Sequence, residues 1–243
     1  MDGGYYRSDL SAVHHKGFGF HADMCAPGIL HHLEPVLERG GLVVELGCGS
    51  GRLTRYLVDA GHRVIATDAS PAMLDLAREY VPEADLRQLV LPDDPIPMAD
   101  AIVSTGHPLN YLADEGEVDR ALVACAMALR PGGVLAVDIC DLEWGRARMD
   151  APPSARVGDD WAIITMFSVP APNQFDRQIA SFLRNDDGSW RRDDETHHNV
   201  LVDTTLIPTF LADYAVTAEV LPAFGSEQFP AGLRAVVGKK QSD

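Results

Sequence analysis

An apolar run from Leu42 to Leu46 passes directly into Gly47, Cys48, Gly49, Ser50 and Gly51, with Glu45 near its end. Glycine accepts positive φ and lets a ligand approach the backbone, so three glycines on alternate positions mark a strand-to-helix turn suited to a ligand. A dinucleotide turn spaces its glycines as GxGxxG, whereas here the third glycine arrives one residue early and Arg52 fills the expected place. A carboxylate at the strand end disfavours a pyrophosphate and suits a nucleotide-type ligand that carries an ammonium and a sulfonium. Downstream, RVIATD ends on Asp68, an acid placed to accept both hydroxyls of a ribose. The alternatives are a tight turn that binds nothing and a helix-entry acid.

A second set of residues could move a proton. In the extended segment around Trp190–Val200, alternate side chains fall on opposite faces, which groups Glu195, His197 and Asn199 against Trp190, His198 and Val200. Histidine has the pKa best matched to a proton leaving a hydroxyl or ammonium near neutral pH, so His197 is the candidate base and Glu195 its orienter. The alternative for both is a partly exposed polar edge strand. Tyr111 is a further catalytic candidate beside His107, and Asn110 is a neighbouring substrate contact. Arg177 is a candidate partner for an acidic substrate group, with surface solvation as its alternative. His14, His15 and His21 lie in a leader that can fold over the site, and His21 is taken as a substrate contact. The histidine pairs lack HExxH or Cys/His ligand spacing, so no metal is expected.

The elements that must position these residues are readable from periodicity. From Val43 to Val137 short apolar strands alternate with helical patterns, which implies parallel strands with crossover helices. The first helix runs from near Ser50 to before Gly61; Ser70 and Pro71 cap and open the next, through Tyr80. A weaker strand lies in Asp85–Val90, and a fourth, AIVSTG, begins at Ala101. Asp114 and Glu117 form a capping box for a helix reaching Arg130, and Pro131, Gly132 and Gly133 turn into the strand VLAVDI, with Asp138 near its end. Met24–Arg39 carries a helical pattern. WAIITMFSV, FDRQIASFL and SWRRDDETHHNVLV read as an antiparallel lid with turns at Pro172-Asn173 and Asp187-Gly188. Asp203–Tyr214 reads as helical, and VTAEVLPAF with LRAVVGKK as a closing strand pair.

Taken in order, ELGCGSG, ATDASPAML, ADAIVSTGHPLNYL and ALRPGGVLAVDI resemble the class I S-adenosylmethionine-dependent methyltransferases, strongly over Gly41–Asp141 and more loosely in the closing strand pair. The resemblance implies an α/β, Rossmann-like seven-stranded sheet in the order 3-2-1-4-5-7-6, strand seven antiparallel, with helices on both faces. By position, Glu45, Gly47, Cys48, Gly49 and Gly51 then receive the methionine part of S-adenosyl-L-methionine, Asp68 the ribose, and Ala69 and Met73 lie near the adenine. Thr105, Gly106 and His107 line the cofactor and the transfer cleft. The third strand offers no clean match for an adenine contact. The lid and GHPLNYL look similar to small-molecule enzymes such as glycine or amino-sugar N-methyltransferases, and no NPPY or DPPY follows the fourth strand.

The expected activity is methyl transfer to N or O of a small metabolite, releasing S-adenosylhomocysteine. The competing readings are a non-catalytic S-adenosylmethionine-binding module of the same fold and an NAD-linked oxidoreductase, the latter disfavoured by the early third glycine and Glu45. With 243 residues, 46% of them apolar, the chain can bury a full core. We divide it into an N-terminal helical cap (1–40), a core (41–150), an inserted lid (151–202) and a C-terminal helix and strand pair (203–243). A formal charge of -16 with no Lys/Arg run argues against nucleic acid as substrate. Four cysteines without CxxC spacing are expected to be reduced, and the absence of a long apolar segment points to a cytoplasmic protein without a membrane partner. An exposed lid edge could pair two copies as a homodimer.

Overall fold

The computed structural model describes residues 4–242. Eleven strands form two sheets: β1 (Leu42–Leu46), β2 (Arg63–Asp68), β3 (Asp85–Gln88), β4 (Ala99–Ser104), β5 (Leu129–Cys140), β6 (Ser154–Val157), β7 (Trp161–Ala171), β8 (Gln174–Arg184), β9 (Trp190–Val200), β10 (Val216–Leu221) and β11 (Leu233–Lys240). The larger sheet has the order β3-β2-β1-β4-β5-β11-β10, and β11 runs antiparallel to both its neighbours. This is the Rossmann-like arrangement expected above, with β10 and β11 as its sixth and seventh strands. The second sheet, β6-β7-β8-β9, is antiparallel throughout.

The helices are α1 (Ser8–Gly17), α2 (Phe20–Glu38), α3 (Arg52–Asp59), α4 (Pro71–Tyr80), α5 (Glu115–Ala128), α6 (Leu142–Arg146) and α7 (Ile207–Ala212). Strand periodicity explains how both faces of the large sheet are covered. Val44, Leu46, Ile102, Leu135 and Val137 point to the face packed by Val118, Leu122 and Cys125 of α5 and Leu211 of α7. Their neighbours Val43, Ala101, Val103 and Ala136 point to the opposite face, against Ile29 and Leu33 of α2, Leu53 and Leu57 of α3 and Leu74 of α4. The strands read as continuous apolar runs because they are buried on both sides. A separate cluster joins Leu10 and Val13 of α1 to Ile163, Ile179 and Leu183 of the small sheet. The leader helix therefore belongs structurally with the lid.

Several boundaries differ from expectation for local reasons. The leader is two helices, and α2 begins at Phe20 instead of Met24, because Gly17 and Gly19 interrupt the apolar pattern where the chain turns between them. β5 starts at Leu129, inside the expected helix: Leu129 pairs with Ala99, the register shifts, and Val134 pairs with Ala101, so Arg130–Gly133 form a bulge. β6 carried no strand signal since all four of its residues are exposed, leaving no alternation to read. α6 is five residues long with a glycine inside, too short for a helical period. The helical stretch after Asp203 splits into a 3-10 turn (Thr204–Leu206) and α7. All four cysteines are free thiols and buried.

Candidate active site

The glycine turn joins β1 to α3, and its three glycines do three different things. All take positive φ, +66° at Gly47, +54° at Gly49 and +84° at Gly51. A Cβ on Gly47 would meet Pro108 at 2.6 Å, so this glycine allows the loop after β4 to close over the turn. One on Gly51 would meet Val81 at 3.0 Å and Ala77 at 3.4 Å, which makes Gly51 a helix-packing position. One on Gly49 would find only the Met73 sulfur, at 3.9 Å, so the backbone there is bare toward open space. Asp68 fixes this geometry: Oδ2 accepts the Gly49 N–H and Oδ1 the Ser70 N–H, each at 2.8 Å. Ser70 in turn caps α4 by accepting the Met73 N–H.

Glu45 and Cys48 do not present side chains to that space. Glu45 is 1% exposed and accepts the Thr54 hydroxyl at 2.7 Å behind the turn. Burial pushes its carboxyl up to about 8, the Thr54 hydrogen bond opposing and the Asp68 charge adding to the rise. Cys48 is buried, with its thiol over the Gly49 carbonyl.

The open space is a cleft of about 680 Å³. Gly47, Gly49, Asp68, Ala69 and Met73 form one wall, Thr105, Gly106, Pro108 and Tyr111 another, and the leader supplies a roof from Tyr5, Tyr6 and His14. Leu89, Val90 and Leu91, immediately after β3, complete the side nearest Met73. Sequence reasoning missed these three because they carry no polar signal; their contribution is an apolar plate. A bare glycine backbone, a strand-end acid and an apolar plate in a cleft of this size fit a nucleoside with an attached amino-acid chain.

Asp138 on β5 shapes the loop after β4. It is wholly buried; Oδ2 accepts the Gly106 N–H at 2.8 Å and the His21 ring at 2.7 Å, and Oδ1 the His107 N–H at 2.7 Å. Its signal in the sequence was an acid inside an otherwise apolar strand, which marks a buried anchor. Drawn by this anchor, His107 takes φ +49° and its ring leaves the cleft wall, stacking on Tyr111 at 5.9 Å and packing on Trp144 at 5.6 Å. Burial, then the charge of Arg177, pushes the His107 imidazole down to about 3. Thr105 and Gly106 do line the cleft, whereas the His107 ring does not.

His21 likewise serves Asp138 and does not line the cleft. Burial lowers its basicity, but the Asp138 hydrogen bond and charge, with Glu227, outweigh it and raise the imidazole above its usual range. The folded form then binds a proton more tightly than the unfolded chain. The resulting stability is complete below the unfolded pKa and is lost as pH rises through the higher folded value. Thermal midpoints measured from pH 6 to 9 should show this loss in the wild type and a flatter profile in His21→Asn; identical slopes would contradict the pairing.

The fourth group lies where the lid meets the core. His197 of β9 is wholly buried and bonded to Glu195 at 2.8 Å. Arg177 of β8 faces its other nitrogen at 3.5 Å, and because a guanidinium only donates, Nδ1 is the accepting atom and Nε2–H points at Glu195. Burial, with the charge of Arg177, lowers the His197 imidazole below its usual range against the pull of Glu195. Glu195 also accepts the N–H groups of Tyr6 and Arg7, each at 2.8 Å, and so ties the leader to the lid. Burial notwithstanding, His197 and these amides hold its carboxyl below the usual range. Arg177 donates to the Tyr111 hydroxyl, which lies 2.8 Å from that of Tyr6. Burial pushes the Tyr111 phenol well up, against the effect of Arg177.

His197 and Glu195 therefore pair as the strand register implied, but beneath Tyr5, Tyr6 and Tyr111 and not on the cleft surface. Asn110 is also withdrawn from any ligand. Its amide accepts the Cys140 N–H at 2.8 Å and donates to the carbonyls of Val200 at 2.6 Å and Cys140 at 3.2 Å, clamping β5 to the end of β9.

Residues 43–133 match the methyltransferase domain family. A protein of Geobacillus sp. (strain WCH70), provisionally named a methyltransferase, is 23% identical over 194 residues, covering 77% of this chain and 78% of its own. The trans-aconitate 2-methyltransferase of Variovorax paradoxus (strain S110) is 35% identical over 111 residues, 43% of this chain and 40% of that enzyme. In three dimensions, an amino pentose methyltransferase from Micromonospora echinaspora, solved with S-adenosylmethionine bound, superposes with a TM-score of 0.73 at 16% identity over 99% of this chain and 100% of its own. Residues 43–133 thus resemble a methyltransferase domain, and the chain as a whole has the fold of the S-adenosylmethionine-dependent methyltransferases.

Proposed function

We propose that this enzyme methylates N or O of a small-molecule metabolite and releases S-adenosylhomocysteine. The observation that carries this reading is the lining: Tyr5, Tyr6 and His14 from the leader join Gly106 and Tyr111 around one half-enclosed cleft. A macromolecular acceptor needs a surface to dock on, and a formal charge of -16 repels a phosphate backbone. The trans-aconitate and amino pentose enzymes among its relatives act, by their names, on small oxygen- and nitrogen-bearing acceptors.

In this reading Gly47, Gly49, Asp68, Ala69, Met73, Thr105 and Gly106 hold the cofactor, with Leu89 and Leu91 beside the adenine. The cofactor supplies a methyl group on a sulfonium, activated for in-line displacement. What the chain adds is alignment and exclusion of water. Tyr111 faces the chamber and is held in place by Arg177, which His197 and Glu195 support from beneath. Arg177 does not itself line the cleft; it lies behind Tyr111, so its positive charge acts on the chamber through that phenol. Incubating the enzyme with methyl-labelled cofactor and a filtered low-mass metabolite extract should place label in small molecules; label only in protein or nucleic acid from the unfiltered extract would reject the proposal.

We further propose that the enzyme acts in a soluble compartment, since no helix among the described residues is long and apolar enough to cross a membrane. The outer edge of β6, at the margin of the small sheet, is the place where two copies could pair. A monomeric mass by sedimentation would reject that dimer.

A further inference from the structure

We propose that His14, on the leader helix α1, is the residue that hydrogen-bonds the methyl acceptor and aims its lone pair at the transferred methyl group, an inference that rests on the methyltransferase reading above. His14 lines the same cleft as Gly49, Gly106 and Tyr111. Its ring is held on two sides, stacked on Phe18 at 5.4 Å and 12° and edge-on to Tyr6 at 5.2 Å and 80°. Neither ring nitrogen has a hydrogen-bond partner among the described residues, and neither is sealed from the cleft.

Every other histidine near the cleft is committed. His197 is wholly buried between Glu195 and Arg177, His21 is bonded to Asp138, and His107 has its Nδ1 sealed. His15 packs on Tyr80 with its own Nδ1 sealed. An imidazole with a fixed plane and open nitrogens is therefore unique to His14 in this region. Burial, then the charge of Arg177 and the neighbouring His15, His197 and His21, pushes His14 down to about 4. It stays uncharged at neutral pH, so it can accept an N–H or O–H without repelling a cationic methyl donor. In-line displacement depends on the direction of attack, and a hydrogen bond to the acceptor's own proton sets that direction.

The test needs no knowledge of the acceptor. Sinefungin carries an amine on carbon where the cofactor carries its methyl sulfonium, so it presents an N–H donor at the reacting position, and S-adenosylhomocysteine lacks that group. Calorimetric titration of both ligands into wild type, His14→Ala and His14→Gln gives a ratio of affinities for each. His14→Ala should lower the sinefungin-to-S-adenosylhomocysteine ratio about tenfold, one hydrogen bond's worth, while leaving S-adenosylhomocysteine binding nearly intact. His14→Gln, which keeps an acceptor, should recover part of the ratio. If both ligands bind and the ratio is the same in wild type and His14→Ala, the role of His14 is overturned. If neither ligand binds wild type, the methyltransferase reading itself fails, and the role of His14 with it.

Discussion

Replacing Asp68 with alanine should weaken S-adenosylhomocysteine binding by a factor of about 100 or more. The carboxylate already accepts the Gly49 and Ser70 amides, which leaves lone pairs directed into the cleft it lines. Burial raises its pKa, and the Ser70, Gly49 and Ala69 amides, which stabilise the carboxylate, oppose that rise. Hydrogen bonds to a charged group contribute about 1.5–3 kcal/mol each, and two to a ribose would account for the expected loss. Asp68→Asn keeps one carbonyl oxygen and should fall between alanine and wild type. Because Asp68 also holds the turn, each variant's thermal midpoint must be recorded beside its calorimetric titration. An alanine variant that folds and binds within a few-fold of wild type would remove Asp68 from the site.

The largest effect on stability is expected at Asn110. Its side chain satisfies the Cys140 N–H and the Val200 and Cys140 carbonyls, and its own carbonyl receives Asn199 Nδ2 at 3.3 Å. Leucine fills a similar volume but leaves the Cys140 N–H and the Val200 carbonyl without their Asn110 partner, each costing about 1–3 kcal/mol, while the Cys140 carbonyl keeps the Val202 N–H. Asn110→Leu should therefore lower the free energy of unfolding in urea by about 3 kcal/mol or more, with a loss near zero contradicting the clamp. Since the clamp joins β5 of the core to β9 of the lid, the same variant should also loosen the leader, whose Tyr6 and Arg7 amides depend on Glu195 of β9.

These two residues show where sequence reading succeeds and where it stops. The place of Asp68 at a strand end beside the glycine turn was legible, and it lines the cleft there; the parallel sheet was legible because its strands are buried on both faces. The Glu195–His197 pair was legible from strand alternation, which fixes the shared face. Alternation cannot say what lies above that face, however, and here three tyrosines cover it, so the residue chosen as a base lies beneath the cleft lining. Asn110 was misassigned because an amide in a loop next to a cleft and an amide clamping two carbonyls have the same letter. Asp138 and His21, 117 positions apart, meet only through the fold. The plate of Leu89–Leu91 had no polar signal, and β6 had no alternation, being exposed on both faces.

In the proposed function the Gly47–Gly51 turn, Asp68 and the Thr105–Gly106 loop form a site for S-adenosylmethionine and not for a dinucleotide. Calorimetry of the wild-type protein with S-adenosylhomocysteine, and separately with NADH, tests it directly. One saturable S-adenosylhomocysteine site per chain with no heat of binding for NADH is the predicted result. Saturable NADH binding with none for S-adenosylhomocysteine would contradict the assignment of the cleft.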